Sequence, residues 1–137
     1  MRGLKGLLIG KIAITAIFWC LPLLLFPAHW FVALGVPAPA PLLMARLLGA
    51  AYLALLVGYT MGMQGLGRGE SPLPVMHMGI ASNGLAAALM AYFGATGAWV
   101  NWGAGAQGFM WLSALGARFI AAGLLRFRLH YRTTTGA

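Results

Sequence analysis

Acidic side chains are almost missing from this chain: its 137 residues include one, Glu70, against nine Lys plus Arg. A lone carboxylate excludes paired-carboxylate catalysis and carboxylate-rich cation sites built from this chain alone. Without an aspartate there is no Ser-His-Asp set. Cysteine is scarce too, and Cys20 has neither a disulfide partner nor companions for a thiolate metal cluster. Histidine is limited to His29, His77 and His130. His77 and His130 fall on one side of the expected membrane, but their separation in depth argues against paired haem ligation, so all three are read as interfacial. No catalytic, metal-binding or cofactor-binding residue is therefore assigned, and the chain is not read as an enzyme.

What is abundant is apolar. Hydrophobic residues make up 61% and charged residues 7%, with a mean hydropathy of +0.86, which leaves too little polar surface to coat a water-soluble globule. A bilayer core of about 30 Å needs roughly 20 apolar residues per helix. Four such stretches lie near residues 6–26, 42–64, 73–94 and 109–126. The expected fold is all-α, a single-domain integral membrane four-helix bundle covering residues 1–137. The net charge of +8 would indicate nucleic acid in a soluble protein. Here the charges flank the spans, so no nucleic-acid partner is expected and membrane lipids are.

The links are read from their breakers. "PAHWFVALGVPAPAP", residues 27–41, stops the first span at Pro27, and its "HWFVAL" is expected to lie at headgroup level. "GLGRGESP" is a glycine-rich turn, and "TGAWVNWGAGAQG" leads into the last span. "GAGAQG" matches the dinucleotide-binding glycine pattern by letter, but it follows no strand and is read as a flexible helix entry. "GLGRGE" lacks the Lys-Ser or Lys-Thr of a phosphate loop.

Arg2, Lys5 and Lys11 near the start, Arg68 in the second link, and Arg126, Arg128 and Arg132 after the fourth span contrast with first and third links free of Lys and Arg. The positive-inside rule then places both termini in the cytoplasm, in what is expected to be a bacterial cytoplasmic membrane. Trp30, Trp99 and Trp102 supply the aromatic belt on the far side. A cleaved signal peptide is disfavoured, because Lys11 interrupts the apolar run and the nearest small-residue site, near Ala38 to Ala40, lies well beyond it.

Two phrases resemble one another, "ARLLGAAYL" at 45–53 and "ARFIAAGLL" at 117–125. They suggest two helical hairpins repeated in parallel, or chance in a chain of low diversity. Gly79, Asn83, Ala86 or Ala87, Met90 and Gly94 share a face of the third span, the expected bundle centre. "GLLIG" and "GYTMG" are small-residue pairs suited to close helix approach.

Both repeated phrases carry an arginine. At about 1.5 Å per residue, Arg118 lies about 12 Å and Asn83 about 15 Å from the cytoplasmic ends of their helices. Thr15 falls near that level, with Lys11 one turn below it on the same face. Arg118 is therefore expected to turn inward toward Asn83 and Thr15. Its role is read either as a structural hydrogen bond or, with Lys11 and Asn83, as an electropositive recess for an anionic or carbonyl-bearing ligand. Arg46, one turn into its helix, is expected to reach headgroup phosphate or to cap carbonyls, and to tolerate shortening. Interhelical hydrogen bonds in membranes average about 0.6 kcal/mol, so losing Asn83 alone is expected to be mild.

"LFPAHWFVALGVPAPAP" followed by "ARLLGAAYLALLVGY" resembles the small four-helix bacterial membrane proteins of the DoxX-like family over about the first half of the chain. The resemblance implies membrane location and, in some members, a quinone-linked redox partner. The first functional expectation is an accessory or scaffolding subunit, with partner subunits or copies of itself. The alternatives are an oligomeric small-solute or anion transporter, and a quinone- or lipid-binding membrane protein.

Overall fold

The computed structural model describes residues 2–135, and every long element in it is helical. The first span is α1 (Arg2–Thr15), a π-helical turn (Ala16–Cys20) and α2 (Leu21–Leu25). A short α3 (Ala28–Ala33) follows, then α4 (Leu42–Gly67), α5 (Leu73–Ala95) and α6 (Ala104–Thr135). Four segments are long and apolar enough to cross a membrane: Gly3–Leu25, Leu42–Gly67, Leu73–Ala95 and Ala104–Tyr131. With large side chains such as Leu25, Leu85, Leu115 and Phe119 exposed on their outer faces, the chain is an integral membrane four-helix bundle.

The fourth helix departs from its expected bounds. It begins at Ala104, so most of "GAGAQG" lies inside it, and it continues past Arg126. In a bilayer a glycine-rich stretch gains more from internal backbone hydrogen bonds than it loses in propensity, and Gln107 steadies the entry by donating from Nε2 to the Trp102 and Val100 carbonyls at 2.8 and 3.1 Å. The π turn was not expected either. Leu21 N–H reaches back to the Ala16 carbonyl, immediately before Pro22. Proline interrupts the hydrogen-bond ladder and crowds the preceding turn, and a wider turn relieves that crowding.

Prolines open helices and glycines close them. Pro27, Pro41 and Pro72 sit at the N-caps of α3, α4 and α5. Gly35, Gly69 and Gly97 have φ near +80°, each just past a helix end. The paired bonds Val36 N to Phe31 O with Gly35 N to Val32 O, Glu70 N to Gly65 O with Gly69 N to Leu66 O, and Ala98 N to Phe93 O with Gly97 N to Gly94 O make three Schellman closures.

Helices pair within two hairpins, α1 and α2 against α4, and α5 against α6, with α5 and α6 the most extensively packed. Four spans bring both termini to one end of the bundle, termed here the termini end. The links at 26–41 and 96–103 occupy the link end. At the termini end Leu4, Leu8, Tyr59, Leu66, Val75, Met76 and Leu124 form the core. Gly79 admits Leu124, and Gly62 of "GYTMG" lies against Val75. Gly6 and Gly10 of "GLLIG", by contrast, face open space. At the link end, Trp99 is 5% exposed, packed against Trp102 and Trp111 rather than standing in a surface belt.

The two long links are stitched together by one backbone hydrogen bond, from Gly103 N–H to the Gly35 carbonyl at 2.8 Å. A Cβ at Gly35 would sit 2.9 Å from Gly103 Cα, whereas one at Gly97 meets nothing within 4 Å. Gly97→Ala is expected to lose only the left-handed backbone preference, about 1–2 kcal/mol. Gly35→Ala should lose that and the inter-link contact as well. Thermal unfolding of the pair in detergent checks the ordering, and equal losses would show that the stitch contributes nothing.

Candidate functional site

Midway along the bundle the two hairpins separate around a cavity of about 460 Å³ lined by all four spans. Its polar wall starts from helix periodicity. Lys11 and Thr15, four residues apart, fall on one face of α1. Both are buried, as is Asn83 on α5, and all three line the cavity.

Lys11 Nζ donates to Asn83 Oδ1 at 2.7 Å and lies 5.2 Å from the centre of the Tyr59 ring. Asn83 Nδ2 donates to the Gly79 carbonyl at 2.7 Å and to Tyr59 OH at 3.2 Å. Tyr59 OH and Ser82 Oγ share a further bond of 2.9 Å. The ammonium therefore has an amide oxygen and a ring face, both neutral, as its partners. A lysine at a helix centre costs about 2.5 to 3.5 kcal/mol to insert, so its burial calls for acceptors. Of its three N–H groups, one is used by Asn83.

Tyr59 and Ser82 complete the network and were not among the residues singled out from sequence. Ser82 stands beside Asn83, and Tyr59 shares a face with Gly62 and Leu66 at helical spacing. Those spacings were the available signal.

Arg118 does not join this cluster. The α6 positions that line the cavity include Ser113, Gly116 and Ile120, while Arg118 is exposed on a face shared with Leu115 and Leu125. Two residues from Gly116 means roughly 200° around a helix. Because α6 runs on to Thr135, Arg118 lies farther from its helix end than the expected bounds imply, and its direction is opposite to the expected one. Glu70 is not its partner, being held by Arg68, whose Nε donates to Glu70 Oε1 at 2.7 Å. That hydrogen bond and charge raise the Arg68 pKa further above its ordinary value.

Arg46 lies outside the cavity. Its Nη1 donates to the Leu23 carbonyl at 2.6 Å and its Nη2 to the Phe26 carbonyl at 2.7 Å. Those carbonyls belong to the end of α2, where the helix stops without its own donors. Close approach is allowed because Gly49, one turn along α4, lies against Leu23 and Leu24.

Aromatic rings close the cavity toward the link end. Trp19 lies 5.7 Å from Tyr52 and 5.4 Å from Phe109 between ring centres, and Phe18 lies 6.3 Å from Phe109. Toward the termini end the cavity is closed by the packed core. The site is thus an apolar chamber with one cationic wall, in the size range of small-molecule pockets. No family model matches the chain, and comparisons with curated proteins and with solved structures return no significant match.

Proposed function

We propose that this chain is a membrane-embedded binding protein for a small lipophilic molecule whose polar end carries hydrogen-bond acceptors. The observation that carries this reading is Lys11, an ammonium buried against neutral partners in the wall of a chamber lined by all four spans. A quinone of the kind implied by the DoxX-like resemblance has such acceptors, and so does a lipid head. Native mass spectrometry of the purified chain should find a small molecule retained. Ala86→Trp, which fills the chamber from α5, should release it. A wild-type chain that carries nothing, or equal retention by both proteins, would overturn the reading.

An accessory-subunit reading is favoured by a different observation, the exposure of Arg118 on the outer face of α6 among large apolar side chains. An arginine facing lipid at that depth either snorkels or is covered by a partner helix that offers a carboxylate. In the second case Arg118→Leu should release a co-purifying subunit.

The proposed setting is a bacterial cytoplasmic membrane with both termini inside, on the strength of the basic termini and the uncharged long links. In a Cys20→Ala background, a cysteine at Trp102 should label from outside intact cells and one at Glu70 should not. Labelling at 70 alone would reverse the orientation.

A further inference from the structure

We propose that the chamber takes a single-chain amphiphile with one acidic head, a long-chain carboxylate, whose head sits on Lys11 and whose chain leaves sideways into the bilayer between α1 and α6. This rests on the binding reading above and narrows it to one class of ligand and one route.

Charge decides the class. Lys11 brings one positive charge into the span, and the chain's one acid, Glu70, is bound to Arg68 in an exposed link. The remaining N–H groups of Lys11 can bind either a carbonyl or a carboxylate, but only the carboxylate also neutralises the buried charge. A single uncompensated cation calls for a single negative charge, which a neutral quinone does not bring.

Shape decides the route. A chain attached to a head at Lys11 can follow the bundle axis only as far as the Trp19, Phe18 and Phe109 rings, which line the chamber at its link end and pack against one another. The core blocks the other direction. The wall is incomplete between α1 and α6. Ile14 and Leu112 line the chamber from these two helices, yet are 54% and 69% exposed. Between the helices, a Cβ added at Gly116 would meet nothing within 4 Å. Below this gap the helices close again, with Gly123 against Leu7 and Gly3 against Phe127. The opening is therefore a window at mid-span that faces lipid, and its occupant would be loaded from the bilayer rather than from water.

The test uses the full chain in phosphatidylcholine vesicles and three photoactivatable probes: a palmitate with a diazirine on the part of its chain nearest the carboxylate, the methyl ester of that palmitate, and a ubiquinone analogue. Palmitate should label chamber residues, and where its chain crosses the window it should label α1 and α6 near Ile14 and Leu112. The ester and the quinone should label about tenfold less or weaker still, as expected on loss of a buried charge pair. Lys11→Met should reduce palmitate labelling to the ester's level. Gly116→Leu, and Ser113→Leu as a second variant in case the first fails to fold, should block it.

Ester or quinone labelling the chamber as strongly as palmitate, or an indifferent Lys11→Met, would overturn the acidic head while leaving the binding reading intact. Undiminished palmitate labelling in both α6 variants would overturn the lateral route. Absence of chamber labelling by all three probes would overturn the binding reading itself.

Discussion

Asn83→Leu is expected to destabilise the folded bundle by about 3 kcal/mol or more, the loss associated with stripping a buried charge of its partner. This is several times the average of about 0.6 kcal/mol for interhelical hydrogen bonds in membranes, the figure that made Asn83 look expendable from sequence. The difference lies in its partner. Asn83 Oδ1 accepts from the Lys11 ammonium at 2.7 Å, so its loss leaves a cation facing apolar side chains. Lys11→Met should be mild by comparison, because it removes the charge and leaves behind one amide oxygen. The double variant Lys11→Met with Asn83→Leu should recover most of the stability lost in Asn83→Leu, since neither half of the pair remains. Unfolding of the four proteins of this cycle in one detergent gives the coupling directly. A mild Asn83→Leu, or a double variant no better than it, would mean that Lys11 finds other acceptors by snorkelling.

Arg46 supplies the second large effect. Its guanidinium spans the end of α2, with one nitrogen on Leu23 O and another on Phe26 O. Hydrogen bonds from charged groups contribute about 1.5–3 kcal/mol each, and the cation also sits at the negative end of a helix. Arg46→Gln should therefore cost about 2–4 kcal/mol and expose the link at 27–41 to proteolysis. Arg46→Lys should recover little, because an ammonium on a longer unbranched stem does not present two donors in a fixed fork. A silent Arg46→Gln would return Arg46 to the headgroup role that its place in the sequence suggests.

The two arginines show how far sequence reasoning reaches in this chain. "ARLLGAAYL" and "ARFIAAGLL" are similar in letters, but Arg46 caps a broken helix and Arg118 faces outward. Arg46 meets carbonyls because Pro27 ends the first span beside it and Gly49 lets the two helices approach. Arg118 has no such neighbour break, and the turn of α6 points it away from Asn83.

Span number, class and the approximate bounds of the first three spans were determined by the sequence, because each follows from a local quantity. Twenty or so apolar residues demand a helix in lipid, and prolines and glycines mark its ends. The azimuth of each side chain was decided only by tertiary packing. In water a helix announces its buried face by being apolar there and polar elsewhere. Here lipid and protein interior are both apolar, so α5 gives no such signal, and shape takes over. Gly79 yields to Leu124, Gly62 lies against Val75, and a π turn accommodates Pro22. Those contacts bring Lys11, Asn83, Tyr59 and Ser82 together and leave Arg118 outside.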